Sequence, residues 1–274
     1  LLMSFSSYYL TQWSKENRKK LCRDFFSKKE VQKGQKIALF MAGSPGAGKT
    51  EFIRRLLSDD QHVWYYILDL DEIRSWMPKY KWKYAEKYTK WAIKILEMLI
   101  DECIHNEYPF VLDGTFTSTK AMERNIERLI NKNYKIGVFY IHTVPELAWL
   151  YTLYRGKDEW RLIPVSRFIR DYYLAPENIC LFSEKYQEAI DIYIVNKKYE
   201  DGTIKYDLFP ADNSMSIHDF FDKHTILDYT IKNRLSRFKY GYYKFISHVP
   251  LLWKKLLKNI ILKKEQWVSQ KLSK

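Results

Sequence analysis

Eight consecutive residues, Gly43-Ser44-Pro45-Gly46-Ala47-Gly48-Lys49-Thr50, constrain this chain more than any other stretch, because they satisfy Gly-x-x-x-x-Gly-Lys-[Ser/Thr] in full. Such a match gains meaning from its context. Before it runs Lys36-Ile37-Ala38-Leu39-Phe40-Met41-Ala42, an apolar segment of strand length. After it, Phe52, Ile53, Leu56 and Leu57 recur at helical spacing. Strand, glycine loop and helix in that order form a cradle for nucleotide phosphates. Glycines let successive N–H groups turn inward as an anion nest, and the helix opening near Gly48 adds its positive end. Lys49 is then placed for the β- and γ-phosphates of ATP, and the Thr50 hydroxyl for magnesium. A tight glycine turn is the bland alternative. The complete motif in its proper context argues against it.

The rest of the chain supplies a matching frame. Residues 8–34 read as a charged helix carrying Tyr9, Leu10, Trp13, Leu21, Phe25 and Phe26. Strands are expected at 36–42, 63–68, 108–112 and 135–143, with helices over 79–106 and 118–132 between them. From Pro145 the pattern is mostly helical. A strand follows at 190–195, and residues 196–202 read as a hairpin turn into 203–206. Strands alternating with helices predict an α/β domain with a parallel sheet, in which ligands sit beyond the carboxyl ends of the strands. The turn-rich stretch Phe209-Pro210-Ala211-Asp212-Asn213-Ser214 marks a boundary. The expected organisation is a helical segment at 1–34, a P-loop domain at 35–208 and a basic helical extension at 209–274.

Composition bears on partners. The formal charge is +13, and from Tyr229 onward twelve Lys or Arg stand against one acid, Glu265. A solvated surface explains this, and so does attraction to nucleotides, nucleic acid or anionic lipid. Residues 251–268 place Leu252, Trp253, Leu256, Leu257, Ile260, Ile261, Trp267 and Val268 on one helical face, with lysines on the rest. This basic amphipathic pattern fits packing on the core or a partner, or binding to an anionic membrane. Three widely separated cysteines, Cys22, Cys103 and Cys180, argue for a reducing compartment. With no spanning apolar run and no secretory pattern at the first residues, the cytoplasm is the expected location.

Carboxylates and arginines cluster at the expected strand ends. The second strand closes in Asp69-Leu70-Asp71-Glu72-Ile73-Arg74, and alternate strand positions would turn Asp69 and Asp71 to one face. A carboxylate there orders magnesium through water or accepts the proton of an attacking hydroxyl. Asp71 as cap of a short helix is the alternative. The third strand ends in Asp113-Gly114-Thr115, where an acid beside the P-loop strand suits a magnesium-bound water. Asp-Gly is also a common turn pair. Arg155 and Arg161 flank Gly156-Lys157-Asp158-Glu159, and arginines in such a place stabilise the charge of a transferring phosphoryl group.

Taken together and in order, these residues resemble the zeta toxin family of P-loop kinases from about Lys36 to Tyr206. The family's P-loop form is matched by Ala42 to Thr50. Its acid pair, basic position and proline are matched by Asp69, Asp71, Arg74 and Pro78, and its helical glutamate by Glu97. Asp113-Gly114-Thr115 matches its acid-Gly-Thr, and Val144-Pro145, Arg155 and Arg161-Leu162-Ile163-Pro164 match its lid region. Ile190 to Asn196 is similar to its late strand. The sequence departs from the family at Thr117, where arginine is frequent, and at Met77, where histidine is frequent; both lie toward the acceptor. The resemblance implies an ATP-dependent kinase acting on the 3′-hydroxyl of the amino sugar of UDP-N-acetylglucosamine. It implies Asp71 as general base, Lys49 as phosphate ligand and Arg155 and Arg161 as transition-state clamps. Asp69, Arg74, Glu97 and Thr115 would hold the acceptor, and a helical antitoxin would block the nucleotide site. Two other functions share the same loop: a 5′-hydroxyl polynucleotide kinase, and a nucleotide-binding interaction protein without transferase activity.

Overall fold

The backbone period of two decides how the apolar strands bury themselves. In the computed structural model, described over residues 7–28, 31, 33–59, 64–81, 84–159, 163–200, 203–210, 217 and 219–221, adjacent strand residues point into different cores. Strand β1 (Ile37–Ala42) sends Ala38 and Phe40 to one face and Met41 to the other. Strand β3 (Phe110–Asp113) divides Phe110 and Leu112 from Val111, and β4 (Lys135–His142) divides Val138 and Tyr140 from Phe139 and Ile141. Both faces are therefore covered, as a parallel sheet requires.

The sheet is completed by β2 (Tyr66–Asp69), β5 (Asp191–Glu200) and β6 (Thr203–Pro210) in the order β2-β3-β1-β4-β5-β6. The first five strands are parallel, and β6 returns antiparallel to β5 at the edge. Helix α2 (Lys49–Asp59) covers one face through Phe52 and Ile53. The other face is covered by α4 (Ala85–Asn106), whose Tyr88, Trp91, Ile95 and Leu99 are buried. Helix α1 (Ser7–Ser27) lies on α4, with Leu10 and Cys22 buried and Trp91 Nε1 donating to Thr11 Oγ1 at 3.1 Å. Between the other elements run α3 (Leu70–Ser75) and α5 (Thr119–Ile130). A third apolar cluster joins α6 (Pro145–Glu159) to α7 (Val165–Tyr186) through Trp149, Leu153, Phe168 and Tyr172.

The α/β class and the parallel order follow the sequence expectation, and several boundaries differ; the first helix, for one, ends at Ser27 and not at 34, and the third strand is Phe110–Asp113 and not 108–112. Strand β2 starts at Tyr66 instead of residue 63 and ends one residue later, at Asp69. The long helix starts at Ala85, not 79, because Lys79 takes a left-handed φ of 54° just after Pro78. Strand β5 continues through the residues expected to turn, pairing Asn196 with Asp207 and Lys197 with Tyr206. Strand β6 reaches Pro210, inside the expected boundary; a proline is tolerated there because the strand is at the sheet edge. Beyond it, Ile217 and Phe221 are buried, and Phe221 packs edge-on against Tyr140. The basic amphipathic pattern at 251–268 lies outside the described residues. Among the described residues, no helix is long and apolar enough to cross a membrane.

Candidate functional site

The sheet places three loops side by side at its carboxyl edge. The loop after β1 carries the glycine motif, and Gly43, Gly46 and Gly48 take φ values of 129°, 78° and 97°. Two of them have no alternative. A Cβ on Gly46 would stand 2.1 Å from the carbonyl oxygen of Ala148, and one on Gly43 would stand 2.7 Å from that of Ile141. The turn is pinned from both sides: Gly43 N–H donates to Thr115 O at 3.4 Å, and Thr143 Oγ1 donates to Ala47 O at 3.0 Å. Ser44 and Ala47 are buried within it, with Pro45 and Gly46 between them in sequence. Lys49 folds back over the loop, its ammonium donating to the carbonyls of Gly43 at 3.0 Å and Ser44 at 2.9 Å.

The acids arrive from the neighbouring strands. In the register of β2 with β3, Asp69 stands opposite Asp113. Thr50 Oγ1 donates to Asp113 Oδ2 at 2.9 Å, tying the first turn of α2 to the end of β3. Burial pushes the Asp113 carboxyl above the usual carboxylate range; Lys49 and the Thr50 hydroxyl pull it back, Asp71 pushes it up again and Arg155 lowers it. Four charged or polar groups from three other elements thus act on the Asp113 carboxyl, which marks this strand end as a candidate site.

The acid pair does not share a strand face. Asp69 ends β2 and caps α3, its Oδ1 accepting from Asp71 N–H at 2.7 Å. Asp71 lies in the first turn of α3, where its carboxylate meets the guanidinium of Arg74, one helical turn on. The cap sets this arrangement: an extended Asp69 with φ −108° and ψ 118° satisfies a first-turn donor and starts the helix at Leu70, one residue before Asp71. Arg74 is buried, and its guanidinium pairs with Asp71.

In the loop after β3, Thr115 Oγ1 lies 2.8 Å from Thr117 Oγ1. Phe116 between them takes a left-handed φ of 60° while its ring is buried against Phe40 and Phe182. No motif reveals what holds this loop. Asn178, buried on α7, donates Nδ2 to Phe116 O at 2.8 Å and accepts from Thr119 Oγ1 at 3.0 Å. Glu97 is half-exposed on α4 and ion-paired at 2.6 Å with Arg124 of α5. Arg155 is exposed on α6, and Arg161 lies outside the described residues. Lys197, also missed by motif reading, stands beside Gly48, with its ammonium over the ring of Tyr151. Only the rule that ligands gather beyond strand ends points to them from sequence.

The oxygen pair of Thr50 and Asp113 has the hard-donor chemistry that magnesium takes, and magnesium needs only one or two protein oxygens beside phosphates and waters. No group of three or more His, Cys, Asp or Glu fit to hold a metal occurs among the described residues.

Comparison with known proteins follows this geometry. The family model described as Zeta toxin matches residues 23–207. The curated protein Toxin PezT of Streptococcus pneumoniae serotype 4 (strain ATCC BAA-334 / TIGR4) is 31% identical over 137 residues, covering 47% of this chain and 54% of that protein. The chain thus spans about half the length of this curated relative. Among solved structures, one from the PezAT chromosomal toxin–antitoxin system of Streptococcus pneumoniae superposes with a TM-score of 0.59 at 22% identity, covering 85% of this chain and 95% of that one. The complex of AvrRxo1-ORF1 with AvrRxo1-ORF2 superposes with a TM-score of 0.58 at 11% identity in its form with sulphate ions, covering 82% and 79%. Its form with ATP gives 0.55 at 10% identity, with the same coverage.

Proposed function

The chain belongs to the zeta toxin family, and from that premise we propose that it is an ATP-dependent kinase that phosphorylates a hydroxyl of a nucleotide sugar such as UDP-N-acetylglucosamine. One observation carries this reading: the Thr50–Asp113 hydrogen bond lies within electrostatic reach of Lys49, Asp71 and Arg155. That constellation supplies a phosphate ligand, a metal-binding pair, a base and a cation for the transferring group.

The roles follow from chemistry. The nest and Lys49 bind the β- and γ-phosphates; these give the ammonium stronger partners than the carbonyls of Gly43 and Ser44. Thr50 and Asp113 would hold magnesium, which neutralises the phosphate charge when bound. Asp71 takes the proton of the acceptor hydroxyl as its oxygen attacks the γ-phosphorus and the bond to the ADP oxygen breaks. Arg155 and Arg161 stabilise the charge that spreads over the transferring oxygens. Arg74 orients Asp71, and Asp69 does so through its cap. Thr115 lines the acceptor side with Thr117, and Glu97 contributes from α4.

A protein antitoxin is part of the same proposal. PezT is named a toxin, and the solved PezAT relative comes from a toxin–antitoxin system. A partner of that kind would cover the nucleotide loop.

The test is a labelling screen. Purified protein with magnesium and γ-labelled ATP is offered nucleotide sugars, other hydroxyl metabolites and nucleic acids with 5′-hydroxyl ends. Label on a nucleotide sugar, lost with Asp71→Asn, is the expected result. Label only on nucleic acid ends would replace the acceptor, and the absence of ATP binding would remove the kinase.

A further inference from the structure

Strand β5 outruns its parallel neighbour at the edge where the glycine loop lies. The last residue of β4, His142, pairs with Asn196, so Lys197 is the first residue of β5 beyond the end of β4. Its side chain runs toward the glycine loop. The ammonium would stand 3.4 Å from a Cβ on Gly48, and the Cδ of its stem 3.8 Å. The same ammonium lies over the Tyr151 ring of α6, 4.7 Å from its centroid. A cation beside Gly48 faces the opening of α2, the positive end of a helix dipole. Lys49 already occupies the other end of the loop, against Gly43 and Ser44. Two ammoniums therefore bracket one anion nest. Glu51 Oε2, 3.6 Å from the same Cβ position, also lies at the Gly48 end, and a polyanion long enough to meet both ammoniums gains a charge-assisted contact at each end of the loop.

We infer that Lys197, held over the face of Tyr151, is a second phosphate-binding lysine, reading the polyphosphate of the bound nucleotide at the Gly48 end of the loop. The inference rests on the nucleotide reading above and adds a residue that the motif does not contain. A nucleoside di- or triphosphate spans the loop and meets both cations. A monophosphate meets only part of the bracket.

Calorimetric titration with ATP, ADP and AMP in the presence of magnesium tests it on the full chain. Lys197→Gln should weaken ATP and ADP binding about tenfold or more, the effect of losing one charge-assisted contact, and AMP binding less. Its ATP affinity should also fall less steeply with salt than that of the wild type. Lys197→Arg should retain most of the affinity, and an unchanged melting temperature shows that the variants fold. ATP affinity within twofold of wild type in Lys197→Gln overturns the assignment. Lys49→Ala separates this failure from a wider one. If Lys49→Ala loses ATP and Lys197→Gln does not, the bracket alone is wrong; if neither variant alters ATP binding, the nucleotide site itself is wrong.

Discussion

The hydroxyl of Thr50 donates to Asp113 across 2.9 Å, joining the first turn of α2 to the end of β3. This bond keeps a carboxylate inside a largely dry site, where burial raises its pKa more than its neighbours lower it. The consequence for stability has a definite sign. A folded pKa above the unfolded one means that the native state holds its proton longer. Stability from this group is therefore complete below the ordinary carboxylate value, and is lost as pH rises from there through the raised folded value.

Asp113→Asn should then behave as a functional loss without a structural one. The amide oxygen still accepts from Thr50, and the buried charge is gone. Without nucleotide or metal, the variant should melt at the same temperature as the wild type near pH 4 and at an equal or higher one near pH 8. Its magnesium-dependent turnover should fall by about a hundredfold or more, as when a transition-state electrostatic partner is removed. A variant that melts lower at every pH would make Asp113 a structural anion instead.

Asp71 and Arg74 call for paired substitutions, because the guanidinium is buried and its carboxylate partner is mostly so. Asp71→Asn retains a hydrogen-bond acceptor for Arg74 but cannot take a proton. It should lose about a hundredfold to ten-thousandfold in kcat, the range of general-base catalysis, with ATP affinity nearly unchanged. Arg74→Ala leaves Asp71 without its ion partner and should destabilise the fold by about 3–5 kcal/mol, the cost of breaking a buried pair. Denaturant midpoints and single-turnover rates distinguish the two. Full turnover in Asp71→Asn would remove the base from the mechanism.

The glycines supply an internal control. Gly46→Ala drives a methyl into the Ala148 carbonyl from a backbone at φ 78°, and both the clash and the conformation oppose it. It should cost about 2–4 kcal/mol of stability, in the range of severe steric substitutions, and abolish ATP binding. Gly114→Ala meets nothing within 4 Å, so the Asp-Gly pair does not need its glycine for space. That variant should stay within about 0.5 kcal/mol of wild type, as exposed substitutions do. Equal losses in thermal melts of the two would contradict the packing of α6 on the loop.

How much of this was legible before the structure depended on range. The glycine motif, Lys49, Thr50 and Asp113 are local signals, each read from a strand end and its following turn. Their convergence followed from parallel order alone. A short helix after β2 was open as an alternative, but its cap was not legible as Asp69 in place of Asp71, because one capping bond decides where the chain leaves the strand and turns into α3. The reach of β5 was hidden for a related reason: Asn196 to Gly202 has turn composition, and only pairing with β6 makes most of it strand. Glu97 illustrates the limit of positional matching, since its carboxylate is held by Arg124 of α5, a contact no spacing rule contains.

Asn178 is the least visible of the residues around the candidate site and yields a direct test of the loop after β3. It sits on α7, more than sixty residues from the carbonyl of Phe116 that it satisfies. Phe116 holds a left-handed backbone while its ring fills the core, so the loop needs an outside donor to fix it. That conformation brings the hydroxyls of Thr115 and Thr117 to 2.8 Å. Asn178→Asp replaces the donor with a carboxylate oxygen facing a carbonyl, and it should cost about 1–3 kcal/mol, the penalty of a buried group left unsatisfied. The kinetic signature is more specific than the stability loss. If the loop positions the acceptor, KM for the acceptor should rise and kcat fall by more than KM for ATP changes, because the nucleotide cradle touches this loop through Thr115 O but keeps its second bond, from Thr143. Steady-state kinetics with each substrate varied in turn measures the split, and equal changes in both KM values would assign Asn178 to general folding alone.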